Sequence, residues 1–177
     1  MRAVLQRVSR AQVRVDGAVT GEIGQGYVAL LGVERGDTQA DVDYIVRKIA
    51  DLRLWPDAAG APAGDNQGPG PAHRPSGTRG EAALEPAPKD ARMNLPLPPG
   101  AGVLAISQFT LCADTRRGLR PSFDQAAPPE EARPLYEAVV HSLRTRSIPV
   151  ATGIFQAHME VELINDGPVT VILNSRG

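Results

Sequence analysis

Two short segments combine residue types that could do chemistry. Ser107-Gln108-Phe109-Thr110-Leu111 sets two hydroxyls and an amide at the end of an apolar run, where they could line a pocket or supply a nucleophile. The plainer alternative is a strand that simply continues, with Phe109 and Leu111 inward. Asn165-Asp166-Gly167-Pro168-Val169-Thr170 reads as a hairpin turn, and its Gly-Pro bond is of the kind that can be cis. Cys112, the only cysteine, is a third candidate, because a thiolate is a good nucleophile when a base or a helix start lowers its pKa. Without such a setting it is a small, partly buried residue. Better-marked chemistry is missing from the sequence. No Cys or His pair has metal-ligand spacing, so no metal site is expected. No G-x-x-x-x-G-K loop offers a phosphate cradle. The three histidines, His73, His141 and His158, lie far in sequence from any nucleophile, so a Ser-His-Asp triad has no support here.

The elements that must position these segments follow from periodicity. Residues 3–33 predict strands and tight turns: Val13 and Val15 alternate with polar neighbours, Asp16-Gly17 is a hairpin signal, and Tyr27–Val33 is a continuous apolar strand. A helix is expected from an N-cap at Thr38, with Asp41 in its first turn, to about Leu54 ahead of Pro56. Its buried stripe is Val42, Ile45, Val46, Ile49 and Leu52. Val103–Ile106 is a short strand. A second helix runs from about Pro129 to Arg146, with Tyr136, Val139, Val140 and Leu143 inward and prolines at its start. Two strands close the chain, one carrying Met159, Val161 and Leu163 and one carrying Val169, Val171 and Leu173, with Asn165–Pro168 as the turn between them. Strands dominate and two helices accompany them, which is an α+β pattern.

Residues 56–92 break this order. They hold 7 Pro and 6 Gly and almost no large apolar residue, so a surface insertion at about 58–92 is expected within a single domain of 177 residues. The chain is 42% hydrophobic, 22% charged and only 4% aromatic, so an aliphatic core is implied. A net charge of −1 carries none of the broad basic footprint of a nucleic-acid-binding domain; any contact with RNA must rest on local features. One cysteine fits a reducing compartment, and no signal peptide or run long enough to cross a membrane is present, so a cytoplasmic location is expected.

Ser107–Leu111 and Asn165–Thr170 together resemble the two signature motifs of the D-aminoacyl-tRNA deacylases. The similarity extends to Gln6-Arg7-Val8, Val15-Asp16-Gly17, Leu30–Val33, Lys48-Ile49, Leu52-Arg53, Met93-Asn94, Gly118–Phe123, Leu135-Tyr136 and Gly153–Phe155. Their order and spacing make it specific over nearly all of the chain outside 58–92. Two departures stand out: about thirty extra residues before Met93-Asn94, and Gln156 where the family usually has Gly.

The resemblance implies an α+β fold, a small barrel-like mixed or antiparallel sheet with two packed helices, working as a homodimer. It implies hydrolysis of the ester of D-aminoacyl-tRNA, with Gly-tRNA also accepted, and it calls for no cofactor and no metal. Catalytic positions carried over are Ser107, Gln108, Phe109, Thr110, Gly167 and Pro168. Substrate-binding positions are Arg7, Phe155, Ala157 and Met159, with Phe155 against the terminal adenine of the tRNA 3′ end and Arg7 holding the Gly-Pro turn. A cis Gly167-Pro168 turn is implied to enter the partner's site, its carbonyls rejecting L side chains. The ribose 2′-hydroxyl is implied to take part, and backbone N–H groups near Ser107–Thr110 would hold the oxyanion, worth ~2.7–4 kcal/mol per donor. Two other classes stay open on the residues alone: a generic small-ester hydrolase using Ser107 or Cys112, and a non-catalytic RNA-binding module.

Overall fold

The computed structural model describes residues 1–57, 93–116 and 118–176; the insertion expected at about 58–92 lies outside them. Strand β1 (Arg2–Val15) is the spine of the sheet. Asp16 and Gly17, both at positive φ (50° and 78°), fold it back into β2 (Ala18–Ile23), as the Asp-Gly signal predicts. Strand β3 (Gly26–Gly32) pairs antiparallel with the first half of β1, from Arg2–Gly32 to Val8–Gly26, while β2 pairs with the second half. The same β1 residues pair on their other edge with β8 (Glu160–Asn174). Strand β6 (Gly102–Ser107) lies parallel to β3, and β7 (Val150–Thr152) parallel to β6.

The sheet curls until its ends meet. A Cβ on Gly21 of β2 would lie 2.5 Å from the carbonyl oxygen of Thr152 in β7, so only glycine lets the two backbones approach there. The result is an α+β fold with a mixed, nearly closed barrel. β3 and β6 are apolar throughout because both of their faces are covered. Val28, Leu104 and Ile106 face the barrel interior with Val8, Ala11 and Val13. Tyr27, Ala29, Leu31, Val103 and Ala105 face the helices.

Helix α1 (Gln39–Asp51) starts as the sequence predicts: the Asp41 carboxylate accepts the Thr38 N–H at 2.8 Å. It presents Val42, Ile45 and Ile49 to the core; each such burial is worth about 1.5–3 kcal/mol. It ends at Asp51, three residues short of the expected Leu54. Leu52 is already extended, and the chain past it serves other needs. Trp55 is buried against Tyr27 and precedes Pro56, which disfavours helix at the residue before it. Trp55–Pro56 (β4) pairs with Met93–Leu95 (β5). Helix α2 (Pro129–Thr145) buries Tyr136, Val139, Val140 and Leu143.

The chain's end differs from the expected hairpin. Residues 160–165 and 170–174 do not pair with each other. Both pair with β1, Asn165 opposite Val8 and Thr170 opposite Gln6, so β8 is one long strand. A long β1 supplies ladder partners to both halves, and residues 166–169 are pushed out opposite Arg7. Asn165–Pro168 is therefore a wide bulge on a strand, not a turn between strands. Among the described residues no helix is long and apolar enough to cross a membrane.

Candidate active site

β6 stops at Ser107, where the Gln108 N–H donates to the Leu31 carbonyl at 2.7 Å. The chain then winds into one 3₁₀ turn, Phe109–Cys112. The alternative of a continuing strand with Phe109 inward is thereby overturned: Phe109 is 56% exposed and packs edge-on against Phe123 at 5.1 Å. The first bond of the turn runs from the Leu111 N–H to the Gln108 carbonyl, so the N–H groups of Phe109 and Thr110 lie ahead of the helical ladder.

Ser107, Gln108 and Phe109 form one wall of a cavity of about 540 Å³, a volume suited to a small-molecule group. The opposite wall is the turn from β7 to β8, Phe155 to Met159, closed by an Ala157 N–H to Ile154 carbonyl bond. Gln156 sits there at φ 67°, a left-handed conformation that favours glycine. Ile106 and Val161 form the floor, and Ala126, Ala127, Pro129 and Ala132 the side toward α2. Phe155 is held by two neighbours, its ring 5.9 Å from that of Tyr136 and its centre 4.6 Å from the Arg133 guanidinium.

Of the ten site residues expected from sequence, the structure brings six into this cavity: Ser107, Gln108, Phe109, Phe155, Ala157 and Met159. Thr110 is outside its lining but joined to it, because Gln108 Nε2 donates to Thr110 Oγ1. Sequence reasoning missed His158 and the small residues before and at the start of α2. His158 was legible only through its place between two expected residues. It makes no hydrogen bond to Ser107 among the described residues, so the cavity holds no formed nucleophile–base pair. Cys112 is fully buried, its thiol reaching the Val33 carbonyl at 3.5 Å. Burial, and then the Glu34 carboxylate, push that thiol up to about 11, which removes it as a nucleophile at neutral pH. Among the described residues no cluster of three or more His, Cys, Asp or Glu could hold a metal ion.

Arg7, Gly167 and Pro168 form a separate group. Arg7 is 9% exposed and stands under the β8 bulge. Its Nε donates to the Asp166 carbonyl at 3.1 Å and lies 3.2 Å from the Asp166 carboxylate. Its Nη1 donates to the Leu54 carbonyl at 2.6 Å, and the guanidinium lies 5.4 Å from the centre of the Trp55 ring. The neck of the bulge is tied by Asn165, whose Oδ1 accepts the Val169 N–H at 2.9 Å and whose Nδ2 donates to Thr170 Oγ1 at 3.0 Å. The Gly167-Pro168 peptide is cis and both residues are exposed. Gly167 has φ 129°, and a Cβ there would lie 2.7 Å from Val169 Cγ2. Within one chain neither residue lines the cavity.

Comparison with known proteins places the chain in a family. The family model described as D-Tyr-tRNA(Tyr) deacylase matches residues 4–67 and 89–174. A protein of Anaeromyxobacter dehalogenans named D-aminoacyl-tRNA deacylase is 48% identical, the match covering 99% of this chain and 98% of that one. One of Symbiobacterium thermophilum with the same name is 47% identical, over 99% of this chain and 96% of that one. The family model omits residues 68–88, whereas both relatives match along nearly their whole length, so a chain of this length is shared with them. A solved structure described as c-Myc DNA Unwinding Element Binding Protein superposes with a TM-score of 0.74 at 31% identity, covering 98% of each chain. Another, described as "a probable eukaryotic D-amino acid tRNA deacylase", shares the fold with a TM-score of 0.65 at 15% identity, over 97% of each chain. The chain belongs to the D-Tyr-tRNA(Tyr) deacylase family.

Proposed function

We propose that this protein hydrolyses the ester joining a D-amino acid to the 3′-terminal ribose of tRNA in the cytoplasm, releasing free D-amino acid and tRNA. The observation that carries the reading is the cavity between Ser107–Phe109 and Phe155–Met159, in a chain whose relatives are named for this activity. Its apolar floor and the Phe155 ring suit a terminal adenosine and its amino acid. The N–H groups of Phe109 and Thr110, ahead of the first 3₁₀ bond, suit the oxyanion that forms when water adds to the ester carbonyl. The 2′-hydroxyl of the substrate ribose assists the attacking water. Collapse of the tetrahedral intermediate expels the ribose oxygen, which takes up a proton. No side-chain nucleophile is needed, which accords with Ser107 and Thr110 having no base hydrogen-bonded to them among the described residues.

Chirality is read by Gly167-Pro168 of a second copy. The bulge is exposed, anchored from beneath by Arg7 and absent from its own cavity lining, so a homodimer in which each bulge enters the other's cavity would unite the two halves of the site. Backbone carbonyls there occupy the space an L side chain needs. A D side chain points away, and glycine, with none, is accepted. Selection thus works by excluding the wrong enantiomer.

The experiment follows loss of the aminoacyl group from D-Tyr-tRNA and from a free D-tyrosine ester with purified protein. Hydrolysis of the tRNA substrate alone is expected. Equal hydrolysis of both would make the protein a general esterase, and binding of tRNA without turnover would make it an RNA-binding module.

A further inference from the structure

A second depression, of about 290 Å³, adjoins the cavity and shares Phe155 with it. Its rim is one face of α2: Arg133, Glu137, His141 and Arg144 stand at helical spacing over a floor of Tyr136 and Val140, facing Thr152 and Gly153. Arg133 and Arg144 have no carboxylate within 4.0 Å among the described residues. Both guanidiniums are nonetheless held in place. Arg133 lies on the Phe155 ring and reaches Gln156 Oε1 at 3.4 Å, and Arg144 donates to the Val150 carbonyl at 3.0 Å. Arg14, Arg35, Arg47, Arg53 and Arg120 also lack a carboxylate partner among the described residues, but none of them lines the cavity or the depression beside it. Glu137, between the two arginines, is the only acidic side chain lining the depression among the described residues.

We propose that this ledge binds the phosphate backbone of the tRNA strand leading away from the terminal nucleotide. The proposal rests on the reading above, in which the terminal adenosine lies against Phe155. A nucleotide held there continues through its 5′ phosphate, and the adjoining depression offers the next polar surface along the protein. The two positioned, unpaired guanidiniums, about 16 Å apart by helical rise along α2, match two phosphodiesters of one strand that are not adjacent, and such contacts fix register without reading sequence. They also answer the charge problem: a chain of net charge −1 holds RNA through a local pair of cations, not through a global field. Glu137 opposes that field, so its carboxylate weakens binding.

The test measures affinity for uncharged, 5′-labelled tRNA by fluorescence anisotropy between 50 and 200 mM salt, beside deacylation of D-Tyr-tRNA by the parent protein. The log–log salt slope for a single strand falls by about 0.7 per neutralised phosphate, so R133Q/R144Q is expected to lose about 1.4 from the slope. Over a fourfold change in salt that is about a sevenfold smaller loss of affinity than the parent suffers. E137Q is expected to bind more tightly than the parent, and R144Q alone, should the double variant not fold, to lose about 0.7 from the slope. Unchanged affinity and slope in folded variants overturn the ledge, even where the parent deacylates normally. Weakened binding by R133Q/R144Q together with a parent that does not deacylate upholds the ledge and sinks the function. A parent that binds no tRNA overturns both.

Discussion

Replacing Arg7 with Ala removes the only side chain that, among the described residues, hydrogen-bonds both the β8 bulge and the segment after α1. Four contacts are lost, and they are unequal: the bond to the Asp166 carbonyl, at 3.1 Å, contributes about 0.5–1.5 kcal/mol. The ion pair to Asp166 involves a carboxylate 45% exposed to solvent, so it contributes less than about 1 kcal/mol. The bond to the Leu54 carbonyl is short, charge-assisted and buried, and its loss strands an acceptor, at about 1.5–3 kcal/mol. The guanidinium against Trp55 adds about 0.5–2 kcal/mol. The Leu54 contact dominates, and the total, allowing for relaxation, is about 3 kcal/mol. At about 2–4 °C per kcal/mol for a chain of this size, Tm falls by about 6–12 °C. Asp166→Ala, which leaves Arg7 bonded to Leu54, costs less than about 1 kcal/mol. Thermal denaturation followed by circular dichroism measures both. Deacylation of D- and L-Tyr-tRNA below the lower Tm then reads the bulge, and Arg7→Ala is expected to lower the D/L rate ratio. An Arg7→Ala protein with the parent's Tm, or one no less stable than Asp166→Ala, refutes the claim that Leu54 is the anchor.

Three further outcomes are expected. Gly167→Ala forces an L side chain to φ 129° with its Cβ 2.7 Å from Val169 Cγ2; the bulge must shift, at about 1–3 kcal/mol, and the D/L ratio must fall more than D-Tyr-tRNA binding does. Equal falls would mean that the bulge only supports the fold. Burial alone would raise the Asp41 carboxyl, but hydrogen bonds from Ser175 Oγ, the Thr38 N–H and Thr38 Oγ1 bring it down to about 2. Its contribution to stability is therefore present above about pH 4 and lost as pH falls toward 2, and acid titration of Asp41→Asn must be flatter than the parent's in that window. Cys112, raised to about 11 and buried, must resist a thiol reagent at pH 8 in the native protein and react once denaturant is added; rapid labelling of the folded chain would place it at the surface.

Much of this architecture is legible in the sequence, because local rules act without competition there. Asp16-Gly17 makes its hairpin, Thr38 and Asp41 start α1, and the unbroken apolar run of β3 signals a strand covered on both faces. Local rules mislead where a distant partner takes over. Asn165–Pro168 has turn chemistry, yet β1 is long enough to pair with both of its flanks and converts the turn into a bulge. The helical stripe runs on through Leu52, yet burial of Trp55 beside Tyr27 ends α1 at Asp51. The cavity shows the same division. Ser107–Phe109 and Phe155–Met159 stand out by resemblance, whereas Ala126 and Ala127 line it only because the segment before α2 is bonded to the chain just past β3, the Ala127 N–H to the Val33 carbonyl. His158 is marked only by its place between Ala157 and Met159, since its position in the cavity depends on a wall made by a segment fifty residues earlier.

The central claim is that the protein removes D- and not L-amino acids from tRNA. It is tested most directly by incubating purified protein with D-Tyr-tRNA and L-Tyr-tRNA side by side and measuring the two first-order rates of deacylation. The account predicts rapid loss of the D ester, with the L ester decaying at the rate seen without protein. Loss of both esters at comparable enzyme-dependent rates would contradict it.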